Sequence, residues 1–436
     1  NSVIMYRNKI GKTILRRLKM DESKILKNYE RAKEEYASLG VDTEKALKEF
    51  SEIKISLHCW QGDDIRGFEE TTVKSENVVT GNYPYAARNA AELRADIEKV
   101  FSLSPSSHKL NIHSVYAENT KKSRDNLDVA AFSGWIDWAK KNKVGLDYNP
   151  SFFAHEMMDN GMSLASPKKE VRDFWVRHGQ SSREIAYGLG KALGETCVCN
   201  LWIPDGLKDD PADRLYFRRL LTESLDRIFE KKYDKKYLVD TLEGKLFGIG
   251  TECFVVGSYD YYLAYALKNN LGICLDSGHY HPTESIADKF SALNDFVDDI
   301  LLHISRGVRW DSDHVVKYDD TLTSIMTEAK RANMLKKLHI GLDYFDASIN
   351  RIFAWAVGLR NADRALLTAL LEPTDKIKQA EQAGDYGLRL AVSEEAKALP
   401  SSAVWDYLCM TKGVLCGIDW IDDVKNYEKD VLSKRI

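Results

Sequence analysis

Short apolar runs rich in β-branched residues recur along the chain at wide spacing. They are "IKISLHCW" (53–60), "KLNIHSVY" (109–116), "VGLDYNP" (144–150), "CVCNLWIP" (197–204), "TLEGKLFGIG" (241–250), "LGICLDSGH" (271–279), "DILLHIS" (299–305) and "KLHIGLDYF" (337–345). Several are apolar at both odd and even positions, as a strand buried on two faces should be. The stretches between them, such as "ARNAAELRADIEKVFSL" and "TLTSIMTEAKRANML", repeat apolar residues every three or four positions and turn a charged stripe to solvent. Eight such alternations within about 300 residues predict an α/β fold, a (β/α)8 TIM barrel in preference to an open doubly wound sheet. The tract "GLGKALG" (188–194) looks like a phosphate loop, but it follows no strand and lies inside a helical pattern, so its glycines read as helix packing.

The flanks read differently. "DESKILKNYERAKEEYASLG" opens a segment of N-terminal helices over 20–52, the barrel pattern occupies 53–350, and 351–436 is wholly helical. That last region is an appended helical layer suited to oligomer contacts. Residues 1–19 carry six Lys or Arg and no acidic residue. Without a signal-peptide apolar core they read as an appended or upstream-translated extension, with Met20 a natural start.

Composition narrows the class. With 436 residues, 44% of them apolar, the chain can bury a large core. A net charge of −4 from interspersed acids and bases argues against a nucleic-acid partner, which needs a concentrated basic face. No apolar run is long enough to span a bilayer. The seven cysteines (59, 197, 199, 253, 274, 409 and 416) lack C-x-x-C spacing, which reads as reduced thiols in a cytoplasmic protein.

Chemistry enters through position. Most of the predicted strands end in an unusual polar or aromatic residue: His58 and Trp60, His113, Asp147 and Asn149, Trp202 and Asp205, Glu243 and Lys245, Asp276 and His279, His303, then Asp343 and Asp346. In a barrel the C-terminal strand ends meet at one mouth, so these groups would share one site. Glu243, Asp276, His303 and Asp343 come from the last four strands and offer three carboxylates and an imidazole, a set suited to a divalent cation such as Mn²⁺. His279, with Asp311 and Asp313 of "WDSDH", would hold a second cation, while His281 and His314 stay outside both. Cysteine is absent from these sets, which disfavours a thiolate zinc site. Lys245 is placed to hydrogen-bond a substrate oxygen that gains negative charge. Trp60 and Trp202 offer flat walls for the C–H face of a sugar, and the glycine-punctuated loop 61–85 is suited to cover the mouth.

Longer motifs carry a family likeness. "SLHCWQGDD", "TGNYP", "ARNAAELRADIEKV", "LWIPDG", "KLFGIG", "HPTE", "RWDSDHVV", "HIGLDYFDASINR" and "LLEPT" together resemble the L-rhamnose isomerase family over roughly Met20 to the C-terminus. The resemblance implies a barrel related to xylose isomerase, a homotetramer, Mn²⁺ dependence and interconversion of L-rhamnose with L-rhamnulose. It also implies His279, Asp311 and Asp313 at one cation, and Glu243, Asp276, His303 and Asp343 at the other. On this reading Lys245 stabilises charge on O1, His113 assists ring opening or holds the sugar, and Asp343 is the first candidate if a protein base is needed. Two rivals carry a similar inventory. A barrel phosphodiesterase acting on abasic DNA would want zinc and a basic surface, and a non-catalytic sugar-binding protein would not need seven metal ligands.

Overall fold

The computed structural model describes residues 22–69, 81–246, 253–281, 283–308 and 313–435. Eight parallel strands close into a barrel: β1 (Lys54–His58), β2 (Ser107–His113), β3 (Gly145–Asn149), β4 (Cys197–Trp202), β5 (Leu238–Glu243), β6 (Gly272–Asp276), β7 (Ile300–Ile304) and β8 (Leu338–Leu342). Neighbours follow chain order and β8 pairs with β1, so every strand is hydrogen-bonded on both edges. The open doubly wound sheet is thereby set aside.

Register decides which side chains share a level. Glu243 lies opposite Cys274, Asp276 opposite His303, and His303 opposite Gly341. Since side chains alternate along a strand, these residues and their i±2 neighbours point into the lumen, and the intervening residues pack outward under the helices. Val198, Cys274 and Leu301 form a small apolar cluster inside the barrel, apart from the large core between barrel and helices. Polar pairs occupy part of the remaining lumen: Lys109 with Asp147, Asn111 with Asn149 at 3.1 Å, and the Thr241 hydroxyl donating to Asn200 at 2.9 Å.

The fifth strand differs from the sequence expectation. It starts three residues before the predicted run and ends at Glu243; residues 247–252 of that region lie outside the described ones. Asp240 is the reason it was hard to see. It faces outward and takes two hydrogen bonds from the buried Arg183 on a barrel helix, at 2.9 and 2.8 Å, so a polar residue interrupts the apolar signature without breaking the strand.

"GLGKALG" does lie within a helix, Lys169–Leu193. A Cβ on Gly190 would stand 2.0 Å from the Tyr237 carbonyl oxygen, so the glycine is there to let the helix approach the chain entering β5. The barrel is preceded by a helix over 22–38 and by Thr43–Glu52, whose N-cap Asp42 accepts hydrogen bonds from the Glu44 and Lys45 amides. After β8 the helix Arg351–Leu370 packs on the barrel, its Trp355 indole donating to the His58 carbonyl at 2.9 Å. Four further helices follow, and near the chain end Arg435 clamps Asp96 with two hydrogen bonds of 2.6 and 2.7 Å. Among the described residues no helix is long and apolar enough to cross a membrane.

Candidate metal centre

Four strands deliver one donor each to a single point at the barrel mouth. Glu243, Asp276, His303 and Asp343 hold ligand atoms within 4.8 Å of one another, and a second group, Asp276, His279 and Asp313, meets the same criterion. Asp276 belongs to both groups. Its Oδ1 is taken by the Gly278 amide and the Ser305 hydroxyl, each at 2.7 Å, which leaves Oδ2 without a hydrogen bond. Asn200 donates to Glu243 Oε2 and fixes that carboxylate in turn. His279 reaches the mouth because a tight turn follows β6, with its amide donating to the Asp276 carbonyl at 3.2 Å. Asp313 is held over the β8 end by its carbonyl, which accepts from the Phe345 amide at 2.7 Å. Asp311, expected beside it, lies outside the described residues.

These donors lie within ion-pair distance of one another, but several of their atoms are not in aligned hydrogen bonds. His303 Nδ1 is 3.0 Å from Asp343 Oδ2 and His279 Nδ1 is 2.9 Å from Glu243 Oε1. Yet neither of those ring nitrogens makes an aligned hydrogen bond, nor do His303 Nε2 and Asp313 Oδ1. Donor atoms that converge on shared points, and not on each other's hydrogens, are what a cation cage requires. Oxygen and imidazole donors of this kind fit a hard or borderline divalent cation. The electrostatics agree. Burial, with the Asp313, Glu243 and Asp343 carboxylates adding to it, pushes Asp276 up to about 8 despite the pull of His279. Burial opposes charge on Asp313 as well, but Lys245 and His279 outweigh it and bring that carboxyl down to about 2. Crowding carboxylates in so little water is costly unless positive charge is supplied.

The opposite side of the mouth is aromatic. Trp60 meets His113 edge-on at 4.6 Å between ring centroids, His113 meets Phe153 at 5.8 Å, and Phe153 meets Trp202 at 5.7 Å. Lys245 bridges the two sides: its Nζ lies 5.3 Å over the Trp202 ring and 3.9 Å from Asp313 Oδ2. It reaches there from the loop just past β5, not from the strand, because the strand stops at Glu243. His113 is buried and neutral, with burial bringing its pKa down to about 3, and its Nδ1 contacts the Ser151 hydroxyl at 3.1 Å.

A profile of the L-rhamnose isomerase (RhaA) family matches residues 23–435. The chain belongs to that family. It is 50% identical over 417 residues to the L-rhamnose isomerase of Listeria innocua, covering 95% of this chain and 99% of that one. It is 50% identical over 414 residues to that of Rhodopirellula baltica, with 94% and 97% covered. For the Salmonella enteritidis enzyme the figures are 48% over 410 residues, with 93% and 98% covered. The chain is therefore an isomerase.

Within this family member the other strand-end residues separate into two kinds. Trp60, His113, Trp202, Glu243, Lys245, Asp276, His279, His303, Asp313 and Asp343 come together. Asp147, Asn149, Asp205 and Asp346 do not: Asp147 pairs with Lys109 down in the lumen, and Asn149 with Asn111. Asp205 accepts from the Ser163 and Ala165 amides and ties two mouth loops together, and Asp346 caps Ser348. His281 turns its Nδ1 to the Thr283 hydroxyl and His314 is exposed, so both lie outside the donor groups. Two residues escaped the sequence reading. Phe153 completes the aromatic wall, and the "SFF" directly after β3 was its only signal. Cys274 lies against the donors, although cysteine had been set aside.

Proposed function

We propose that this isomerase interconverts L-rhamnose and L-rhamnulose at the barrel mouth, using two divalent cations per subunit, Mn²⁺ foremost. The hydrogen passes directly from C2 to C1. The observation that carries this reading is the pair of overlapping donor groups facing an aromatic wall, with Lys245 between them. Glu243, Asp276, His303 and Asp343 hold one cation; His279 and Asp313 hold the other, with Asp311 the further ligand expected from the sequence. When bound, the cations act as Lewis acids that polarise the C1 carbonyl and acidify the O2 hydroxyl.

The chain's own residues do the rest. Trp60, Phe153 and Trp202 take the C–H face and the C6 methyl of the 6-deoxy sugar, which has no hydrogen bond to offer there. His113 is a neutral imidazole oriented through Ser151, and its other ring nitrogen is left for a sugar hydroxyl. Lys245 presents its ammonium to O1 as charge develops. Glu243, Asp276, Asp313 and Asp343 all belong to the donor groups, and a carboxylate committed to a cation is a weak proton acceptor. That favours hydride transfer over removal of a C2 proton by the protein. The test is L-rhamnose deuterated at C2. Product that keeps the label at C1, with almost no uptake from D₂O, supports the reading. Washout at low conversion rejects it and makes Asp343 the base to examine. We assign the enzyme to the cytoplasm on a cysteine spacing that carries no disulfide framework. A homotetramer is what the family resemblance implies, and the helix Tyr386–Ala398, which leaves Tyr386 62% and Leu390 60% exposed, offers a face for subunit contacts.

A further inference from the structure

Beneath the carboxylates lies a thiol. Cys274 is two residues before Asp276 on β6, so both side chains leave the strand on its inward face. Register sets Cys274 beside Glu243 of β5, and beside Leu301 of β7, two residues below His303. The Cys274 sulfur, a Glu243 carboxylate oxygen and a His303 ring nitrogen lie within 4.8 Å of one another. Their residues are 1%, 2% and 0% exposed. Among the described residues neither ring nitrogen of His303 makes an aligned hydrogen bond, so the imidazole has a donor available to this lower group.

We propose that Glu243, Cys274 and His303 form a second, softer cation site one layer below the mouth, which captures a thiophilic divalent cation of the Zn²⁺ class. A thiolate beside an imidazole and a carboxylate selects softer cations than a set of carboxylates does. On capture the S–H bond is exchanged for a sulfur–metal bond and the proton is released to solvent; nothing is oxidised or reduced. Glu243 and His303 also belong to the four-donor group with Asp276 and Asp343, so the two occupancies exclude each other. A captured thiophilic cation therefore removes two of the four donors from the hard-cation site.

The inference stands on the donor geometry alone, and its test is independent of whether the upper group serves isomerisation. Metal-free enzyme loaded with one equivalent of Zn²⁺ is examined by X-ray absorption at the zinc edge. The expected result is one sulfur neighbour at about 2.3 Å, with nitrogen and oxygen at about 2.0–2.2 Å. In Cys274→Ser the sulfur neighbour is expected to vanish and Zn²⁺ to bind at least ~10-fold more weakly, with Mn²⁺ binding, read by electron paramagnetic resonance, showing that the variant is folded. A wild-type spectrum with no sulfur overturns the proposal and needs no variant. A sulfur neighbour that persists in Cys274→Ser overturns it too.

Discussion

Lys245→Met keeps the stem of the side chain and removes only its charge. The side chain is 9% exposed, and its ammonium lies 3.9 Å from an Asp313 oxygen and 5.3 Å over Trp202. A unit charge about 4 Å away is worth about 4 kcal/mol at an effective dielectric of about 20. Part of that attraction is already present towards the ground-state carbonyl oxygen, and only the part that grows as O1 becomes negative lowers the barrier. About 3 kcal/mol of differential stabilisation remains, within the range seen when an oxyanion donor is lost, which corresponds to ~10²–10³-fold in rate. The assay is ketose formation from L-rhamnose at saturating Mn²⁺, with metal content measured on the same samples. We expect kcat and kcat/KM to fall together while bound metal is unchanged, the signature of a contact made in the transition state. Wild-type turnover would refute the role. A higher KM at unchanged kcat would make Lys245 a substrate anchor only.

Removing metal with a chelator should abolish isomerisation, and Mn²⁺ should restore it better than Zn²⁺ because the donors are mostly carboxylates; full activity in metal-free enzyme would count against both donor groups. Gly190→Ala should destabilise the fold by about 2–4 kcal/mol in chemical denaturation, because its Cβ meets backbone oxygens at 2.0 and 2.9 Å that cannot rotate away. Gly188→Ala, whose Cβ meets a Val129 methyl at 2.8 Å, should cost less. Burial pushes Asp363 up to about 7, above the ~3.9 of an unfolded aspartate. The unfolded chain thus loses this proton first, and the stability contributed by the group falls as pH rises from about 4 to about 7, then levels. Asp363→Asn should remove that slope and gain roughly 3–4 kcal/mol on wild type between pH 4 and 8, read from denaturation curves at both ends; parallel pH profiles would contradict it.

Much of the barrel was readable because two-face burial writes a continuous apolar run, and seven of the eight strands fall within their predicted runs or begin within two residues of them. The fifth begins earlier because Asp240 spends its polarity on Arg183 outside the barrel, a partner 57 residues away that no local pattern reveals. Strand ends were the informative positions for chemistry, since parity alone decides that Glu243, Asp276, His303 and Asp343 face inward together. Phe153 was not readable in the same way. It lies in a loop whose path is set from a distance: the buried Arg124 guanidinium donates to the carbonyls of Ser151, Phe153 and Ala154 at 2.7, 2.6 and 3.2 Å. Ala154 takes a positive φ of 48° at that bend, a conformation alanine seldom adopts unless its surroundings impose it. Nor could spacing show that Asp276 serves two donor groups, which depends on the turn that brings His279 back over its own strand.

The mouth divides along chain order, and that division bears on how one barrel can hold a sugar in a single orientation. Strands β5 to β8 end in carboxylates and imidazoles, while β1, β2 and β4 and the loop after β3 supply Trp60, His113, Trp202 and Phe153. An open-chain sugar has hydroxyls along one edge and C–H bonds elsewhere, so a site that is charged on one side and aromatic on the other binds it well in few orientations. Turning the sugar over would leave hydroxyls against Trp202 and Phe153 without partners, at a cost of about 1–3 kcal/mol for each buried group. Lys245 stands on the seam, its ammonium over Trp202 on one side and near Asp313 on the other. At that position one charge faces both the aromatic wall and the carboxylates of the donor groups. A base set among the cation donors would have to compete with the metal for its own lone pairs. Lys245 carries a positive charge beside those donors and is not one of their ligands, so on the proposed reading its role is to stabilise charge on O1 and not to accept a proton.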